Sequence, residues 1–172
     1  MSTNIEILPL NPSLNLSSIE EIFFITASVQ TFVDETERER FKYKYLGFYL
    51  EKYPELVLVA RDQEKILGYC LGSPETNESF YPWQPHLEIF ADLFSSYPAH
   101  LHINLHPASQ GLGIGQKLIG HWENLVREGA KGMHIMTAPG ARNVSFYRRL
   151  GLETEIVRKF KGHEILFMGK SF

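Results

Sequence analysis

The sequence lacks the features that mark several large classes of protein. Cys70 is the only cysteine among the 172 residues, so an internal disulfide and a cysteine-based metal site are both excluded. No apolar run approaches the roughly 18 residues of a membrane span, and the chain does not start with a cationic segment followed by a long apolar one. These absences predict an untargeted, cytoplasmic protein that has no membrane partner.

The sequence also lacks an excess of charge of either sign. The sequence has 17 Lys and Arg residues and 20 Asp and Glu residues, which gives a formal net charge of −3. This balance is too even for general attraction to nucleic acid, so we expect no nucleic-acid partner. The apolar fraction of 44% and the charged fraction of 22% are ordinary for a folded chain. The length suits a single domain over residues 1–172.

Apolar spacing predicts a strand, two helices and two further strands in the first 72 residues. The predicted elements are a strand at Ile5 and Ile7, a helix from a capping box of Ser17 and Glu20 to about residue 30, a second helix ending before Pro54, and a hairpin over residues 56–72.

In the second half of the chain, after an unusual segment, strands and helices alternate until the last two strands. Its predicted elements are a strand over 101–105, a helix from Ile114 to near Gly129, a strand over 133–137, a helix capped by Asn143 and ended by Gly151, and two strands within residues 152–168. The resulting order is β, α, α, β, β, insertion, β, α, β, α, β, β.

The segment 74–98 is the unusual one, because four prolines interrupt it and it is rich in aromatic residues. A connection of this length is functional or packed on itself. We expect it to form a wall or lid of an acceptor site, in which Tyr81 and Trp83 enclose the substrate. The alternative is that Phe90 and Phe94 dock a short helix onto the sheet.

A glycine-rich loop follows the strand over 101–105 and precedes a helix. Glycines at 111, 113 and 115 remove side chains that would keep a ligand from the backbone. The free N–H groups of the first helical turn attract anions, so a phosphate group is the expected ligand. The alternative is a tight turn without a ligand.

Two familiar phosphate-binding loops do not match this segment. A P-loop requires a hydroxyl residue after the lysine, and Leu118 follows Lys117. A dinucleotide fingerprint requires a glycine at 116 or 118, where the chain has Gln116 and Leu118. A phosphate-loop nucleotide enzyme is therefore disfavoured.

The loop resembles that of the GCN5-related N-acetyltransferases, the GNAT superfamily. Their acetyl-CoA loop, Gln/Arg-x-x-Gly-x-Gly/Ala, is matched by Gln110, Gly113 and Gly115, with Pro107 upstream. A second motif of the family is matched by Asn143, Phe146, Tyr147 and Gly151. The stretch YPAHLHINLHPASQGLGIG is similar to the subset related to the acetyltransferase-like domain of O-GlcNAcases.

The resemblance implies an α+β fold and the positions of the cofactor site. The implied fold is a single domain whose mixed, mostly antiparallel sheet splays at the cofactor, with helices on both faces. Acetyl-CoA is implied as acyl donor, without a metal. The implied cofactor contacts are the backbone of Leu105 and His106 together with Gln110, Gly111, Leu112, Gly113, Ile114, Gly115, Asn143, Phe146 and Tyr147.

The resemblance also implies that Tyr147 donates a proton to the leaving thiolate. The alternative for Tyr147 is packing against Phe146. The general base stays open, since no single carboxylate stands out on the strand before the loop. His102, Asn104 and His106 share one face of that strand, so either histidine is a candidate base and Asn104 a candidate substrate contact.

Two further side chains have simpler explanations. His100 extends the row of histidines, but no carboxylate or cysteine joins them at ligand spacing, so a metal site is disfavoured. Cys70 lies in an apolar strand and is expected to act as a small buried hydrophobe.

We therefore expect an acetyl-CoA dependent N-acetyltransferase whose acceptor is a small-molecule or peptide amine. The alternative is a non-catalytic acyl-CoA or peptide-binding module with the same fold. The sequence does not identify the acceptor, and it leaves the oligomeric state open.

Overall fold

The computed structural model describes residues 4–172. The chain divides into two compact units, each built from two separate stretches. The first unit holds the chain up to Gly72 together with His102–Leu125, and the second holds Ser73–Leu101 and Val126–Phe172.

The strands are β1 Ile5–Pro9, β2 Leu58–Asp62, β3 Lys65–Ser73, β4 Ala99–Leu105, β5 Gly132–Thr137, β6 Thr154–Phe160 and β7 His163–Ser171. The α-helices are α1 Pro12–Thr26, α2 Glu35–Lys42, α3 Phe48–Lys52, α4 Ile114–Val126 and α5 Val144–Arg149. Among the residues described, no helix is long and apolar enough to cross a bilayer.

The strands form one mixed, mostly antiparallel sheet in the order β1-β2-β3-β4-β5-β7-β6. β1, β2 and β3 pair antiparallel in sequence, as do β5 with β7 and β7 with β6. β4 pairs parallel with β5, through Ala99 and Met133 and through His100 and His134. The predicted α+β class, the element order and the hairpin over residues 56–72 are confirmed.

The first helix starts earlier than its predicted capping box. Asn11 is the N-cap, and its side-chain oxygen accepts a hydrogen bond from the Ser13 N–H at 3.1 Å. Pro12 follows at the first helical position, where its fixed φ suits the helix and its missing N–H costs no hydrogen bond. The prediction of a cap at Ser17 is therefore wrong, because Asn11 and Pro12 together start the helix sooner.

The predicted second helix is interrupted by a wider turn. Residues Tyr43–Gly47 form a π-helix between α2 and α3, with the Phe48 N–H bonded to the Tyr43 carbonyl. The helical segment ends at Lys52, before Pro54.

A hydrogen bond joins α4 to the residues just before β2. Trp122 of α4 donates its indole N–H to the Leu56 carbonyl at 3.1 Å.

Part of the segment 74–98 packs in the core of the second unit. Phe90 is fully buried within a 3₁₀-helix, Pro85–Leu93, and its ring lies 5.4 Å from that of Phe167. Phe94 stacks on His134 at 5.1 Å. The prediction of a lid outside the core is wrong for these side chains, because their spacing directs them into the sheet.

An ion pair also holds this segment to β6. Arg158 donates to the Asp92 carboxylate at 2.9 Å and to the Ile89 carbonyl, both on the 3₁₀-helix. The neighbouring guanidinium holds the pKa of Asp92 below its ordinary value. The segment is therefore anchored by polar contacts as well as by its aromatic rings.

Candidate active site

The glycine loop between β4 and α4 presents an open backbone. Gly111 and Gly113 have φ angles of 78° and 76°, in the left-handed region that favours glycine. A Cβ atom built at either position meets no other atom within 4 Å. Packing inside the protein therefore does not require these glycines, whereas their backbone conformation does.

Free donors follow this loop at the start of α4. The first helical N–H with an intrahelical partner is that of Lys117, which donates to the Gly113 carbonyl at 3.3 Å. By helix geometry, the N–H groups of the preceding turn have no acceptor within the helix. Ile114 is fully buried and fixes this turn on the core. The loop can therefore hold an anion through backbone N–H groups.

His106 is committed to the turn that precedes the loop. Its Nδ1 accepts a hydrogen bond from the Ala108 N–H at 3.2 Å, so the neutral ring carries its proton on Nε2. Its backbone N–H donates to the Leu67 carbonyl at 2.9 Å. These two bonds weigh against the predicted base role and the predicted backbone-donor role of His106, and both roles stay predictions.

Leu105 keeps the geometry expected of a backbone donor. Backbone N–H groups alternate between the two edges of a strand. Because the N–H of His106 points to β3, the N–H of Leu105 points to the opposite edge of β4. β3 and β4 approach each other closely at Gly68 of β3, where a Cβ atom would lie 2.8 Å from the Asn104 carbonyl oxygen of β4.

His102 and Asn104 share a face of β4, as predicted, and each is held by a tyrosine. His102 Nε2 lies 3.0 Å from the Tyr49 hydroxyl. Asn104 donates its amide N–H to the Tyr69 hydroxyl at 2.9 Å. Burial raises the pKa of Tyr69 above its ordinary range, so this phenol stays protonated. Both polar side chains therefore have fixed positions.

His100 and Cys70 have structural surroundings. His100 belongs to the second unit, where its Nδ1 lies 2.6 Å from the Thr76 hydroxyl and Phe80 contacts its ring. Within residues 4–172 no group of three or more His, Cys, Asp and Glu side chains has a metal-binding arrangement. Burial raises the pKa of the Cys70 thiol, which disfavours the reactive thiolate.

The second predicted motif lies on α5, in the second unit. The Asn143 side chain does not cap this helix, because its oxygen accepts a hydrogen bond from the Thr137 hydroxyl at 3.0 Å. Asn143 itself is exposed. Tyr147 is 7% exposed, and its ring lies 5.2 Å from that of Phe146. Gly151 ends the helix with a φ of 87°, as predicted.

Tyr81 and Trp83 lie at the surface of the second unit. Tyr81 is half-buried, and Trp83 is 40% exposed. Both follow the short 3₁₀-turn Glu78–Phe80, whose last residue is buried. Their contact with an acceptor stays a prediction.

The structure assigns the predicted residues to two groups. The first unit brings together His102, Asn104, Leu105, His106 and the loop over 110–115, and the second unit holds Tyr81, Trp83, Asn143, Phe146 and Tyr147. Sequence reasoning missed Tyr49 and Tyr69, which hold the polar face of β4. No local pattern marks either of them, since their partners are distant in the chain.

A family model described as an acetyltransferase (GNAT) domain matches residues 54–153. The chain belongs to the GNAT family. The matched range contains β2 to α5, and therefore both the glycine loop and the Asn143–Tyr147 motif. The resemblance to the O-GlcNAcase-related subset is not tested by this match and stays a prediction.

Solved structures support the same fold for this GNAT chain. It is similar to SsHAT, with a TM-score of 0.75 and 21% identity over 97% of this chain and 98% of that one. It is similar to yncA from Salmonella typhimurium, solved with its cofactor acetyl-CoA, with a TM-score of 0.64 and 20% identity over 97% and 93%. Naa20 from Chaetomium thermophilum, in complex with a bisubstrate analogue, matches with a TM-score of 0.66 and 21% identity over 97% and 86%.

Proposed function

We propose that this GNAT protein transfers the acetyl group of acetyl-CoA to an amine by direct attack. The observation that carries the proposal is the open backbone at Gly111 and Gly113 before the first turn of α4. It coincides with the positions that match the family's acetyl-CoA loop, Gln110, Gly113 and Gly115. The presence of acetyl-CoA in the neighbour yncA supports the choice of donor.

The residues fit acetyl-CoA because they offer donors to its phosphates and its carbonyl group. Backbone N–H groups over 110–115 and the dipole of α4 suit the pyrophosphate. The N–H of Leu105 suits the thioester oxygen, where a donor stabilises developing negative charge. Bound acetyl-CoA supplies the activated acetyl group. Asn143 and Phe146 are proposed as further contacts, from their match to the family motif.

In the proposed reaction, protein side chains handle two protons. His102 takes the proton of the amine as general base, and Asn104 orients the acceptor beside it. His106 is left out of the base role because its Nδ1 already accepts a hydrogen bond from Ala108. Tyr147 donates its phenolic proton to the leaving thiolate.

The proposed acceptor is an amine carried by a small molecule or a peptide. Tyr81 and Trp83 are proposed as contacts of its remaining part, since both present aromatic surface outside the core. We further propose that the protein acts in the cytoplasm, which suits its single buried cysteine.

One observation favours a second function, a non-catalytic acyl-CoA or peptide-binding module. His102 on β4 and His106 directly after it already have hydrogen-bond partners within the protein, Tyr49 for His102 and Ala108 for His106. A binding module would need the glycine loop and no base.

Two measurements on the purified protein separate these functions. Calorimetry measures acetyl-CoA affinity, and a thiol-release assay measures turnover across a broad panel of small amines and peptides. Affinity with turnover supports the acetyltransferase. Affinity without turnover on the whole panel supports the binding module. An absence of binding to any acyl-CoA overturns the acetyltransferase and the acyl-CoA-binding form of the module.

A further inference from the structure

A hydrogen bond between β3 and β4 joins a core tyrosine to a side chain of the proposed site. Asn104 of β4 donates an Nδ2–H to the hydroxyl oxygen of Tyr69 of β3 at 2.9 Å. Tyr69 is fully buried, whereas Asn104 is half-buried. Of the residues that the structure describes, none forms a further side-chain hydrogen bond with either of them. The bond therefore fixes one end of a side chain whose other end is open to a ligand.

Tyr69 is a rigid partner for this bond. The two strands are close beside it, since a Cβ atom at the preceding Gly68 would lie 3.1 Å from the Leu105 Cα. Burial raises the pKa of the Tyr69 phenol, so the hydroxyl stays neutral. A hydrogen bond shielded from water is stronger than an exposed one. Tyr69 can therefore hold the Asn104 amide without placing a charge in the core.

The bond also decides which end of the amide is open. The nitrogen of an Asn side chain donates hydrogen bonds, and its oxygen accepts them. Because Nδ2 faces Tyr69, the carbonyl oxygen Oδ1 of the planar amide points away from Tyr69. His102, the proposed base, lies two residues before Asn104 on the same face of β4. Beside that base, Asn104 therefore offers an oxygen that accepts a hydrogen bond.

We propose that Tyr69 is a positioning residue that turns Oδ1 of Asn104 toward the amine substrate, and that Asn104 thereby selects primary amines. Oδ1 accepts a hydrogen bond from one N–H of the attacking nitrogen. This inference rests on the proposed acetyltransferase function. It adds to that function the atom that orients the amine, the residue that holds this atom and the class of amine that fits.

The selection follows from the number of hydrogens on the attacking atom. The lone pair of a neutral primary amine forms the bond to the thioester carbon, and the thiolate leaves that carbon. One of the two amine hydrogens leaves as the proton taken by the base, and the other stays on nitrogen and donates to Oδ1. A secondary amine or a hydroxyl group has a single hydrogen, which the base takes. Oδ1 then has no donor, and a site built to bond an N–H rejects a substrate that lacks it.

The test measures kcat/KM for the primary amine of the panel with the highest turnover and for its N-methyl derivative. The wild type should prefer the primary amine. We expect Tyr69→Phe and Asn104→Ala each to lower kcat/KM for the primary amine about tenfold, which corresponds to the loss of one hydrogen bond. The values for the N-methyl derivative and the KM for acetyl-CoA should not change. An equal loss for both amines would overturn the inference, because a merely structural role lowers both.

A control and a double variant separate positioning from general damage. Tyr97→Phe is the matched control, since it removes a hydroxyl that lies 2.8 Å from the Thr154 hydroxyl in the second unit. It should keep the wild-type preference. Because Tyr69 acts through Asn104, the double variant Tyr69→Phe/Asn104→Ala should be no slower than Asn104→Ala alone. Losses that add up in the double variant would overturn the inference.

A further measurement needs neither turnover nor a variant that folds. Nuclear Overhauser contacts between the Nδ2 protons of Asn104 and the ring of Tyr69 in the wild-type protein report which end of the amide faces Tyr69. We expect these contacts, and their absence would overturn the inference. If the wild type acetylates no amine, the proposed function fails and the selection of amines fails with it, whereas the contacts still decide whether Tyr69 holds Nδ2.

Discussion

Gly113 and Gly68 are required for different physical reasons. Gly113 has a positive φ and open space where a side chain would be. At Gly68 a side chain would collide with the backbone of the adjacent strand, 2.8 Å from the Asn104 carbonyl oxygen. The open space at Gly113 is available to a ligand, whereas the crowding at Gly68 serves the packing of the sheet.

Substitution of Gly113 should therefore affect ligand binding more than folding. Gly113→Val puts a branched side chain where the phosphates are proposed to bind, and we expect at least a tenfold loss of acetyl-CoA affinity by calorimetry. The positive φ should also cost about 1–2 kcal/mol of stability.

Gly162→Val is the matched control for Gly113→Val. Gly162 has a φ of 84° and equally open space, but it lies in the turn between β6 and β7. We expect a similar loss of stability in denaturant unfolding and an unchanged acetyl-CoA affinity. An unchanged affinity in a folded Gly113→Val protein would remove the loop from the proposed site.

Removal of the Tyr147 hydroxyl tests the proposed role of Tyr147 as general acid. Tyr147→Phe keeps the nearly buried ring and removes only the proton donor, so the acetyl-CoA dissociation constant should stay the same. Turnover should fall about 100-fold, the usual size of a general-acid effect. A pre-steady-state measurement shows whether chemistry limits the rate. Normal turnover in a variant whose chemistry is rate-limiting would exclude the acid role.

At the scale of an element, the segment 74–98 combines a buried face with an exposed one. Phe90 is fully buried on the 3₁₀-helix, whereas Trp83 is 40% exposed shortly before it. The helical apolar spacing correctly predicted a short docked helix, which has the 3₁₀ form. Only the exposed face is available for contact with an acceptor.

An alanine substitution on the buried face should lower stability, whereas one on the exposed face should change the kinetics. Phe90→Ala should lower the free energy of unfolding by about 3–5 kcal/mol, because it leaves a cavity in the core. Trp83→Ala should change it by less than about 0.5 kcal/mol and raise the KM for the acceptor. Unchanged kinetics in Trp83→Ala would show that Trp83 does not contact the acceptor.

At the scale of the whole molecule, neither unit is a continuous piece of chain. β4 passes from one unit to the other, with residues 99–101 in the second and residues 102–105 in the first. The glycine loop and α4 continue from β4 in the first unit. Because a ligand that binds only the folded protein stabilises it, binding to this loop should be measurable as an increase in the stability of the folded protein.

Acetyl-CoA should stabilise the folded protein by mass action. At a concentration 100 times its dissociation constant, we expect about 2.7 kcal/mol. For a chain of this length, that corresponds to a rise in Tm of about 5–10 °C in a thermal unfolding experiment. Gly113→Val should show no such rise. An equal rise in both proteins would indicate that acetyl-CoA binds away from the loop.

The sequence by itself determined the order of the elements, the glycine loop and the family, because these depend on residues close together in the chain. Alternating or helical apolar spacing and the φ requirement of glycine act over a few residues. Gly111, Gly113 and Gly151 adopt positive φ angles at the loop and helix end that the sequence predicted.

Only the tertiary structure decided which polar groups are already engaged. Tyr49 and His102 are 53 residues apart, and Tyr69 and Asn104 are 35 apart. Such pairs form when distant elements pack together, and the same packing buried Phe90 in the core. Hydrogen-bond partners of this kind leave no local pattern, since either residue alone is compatible with many environments.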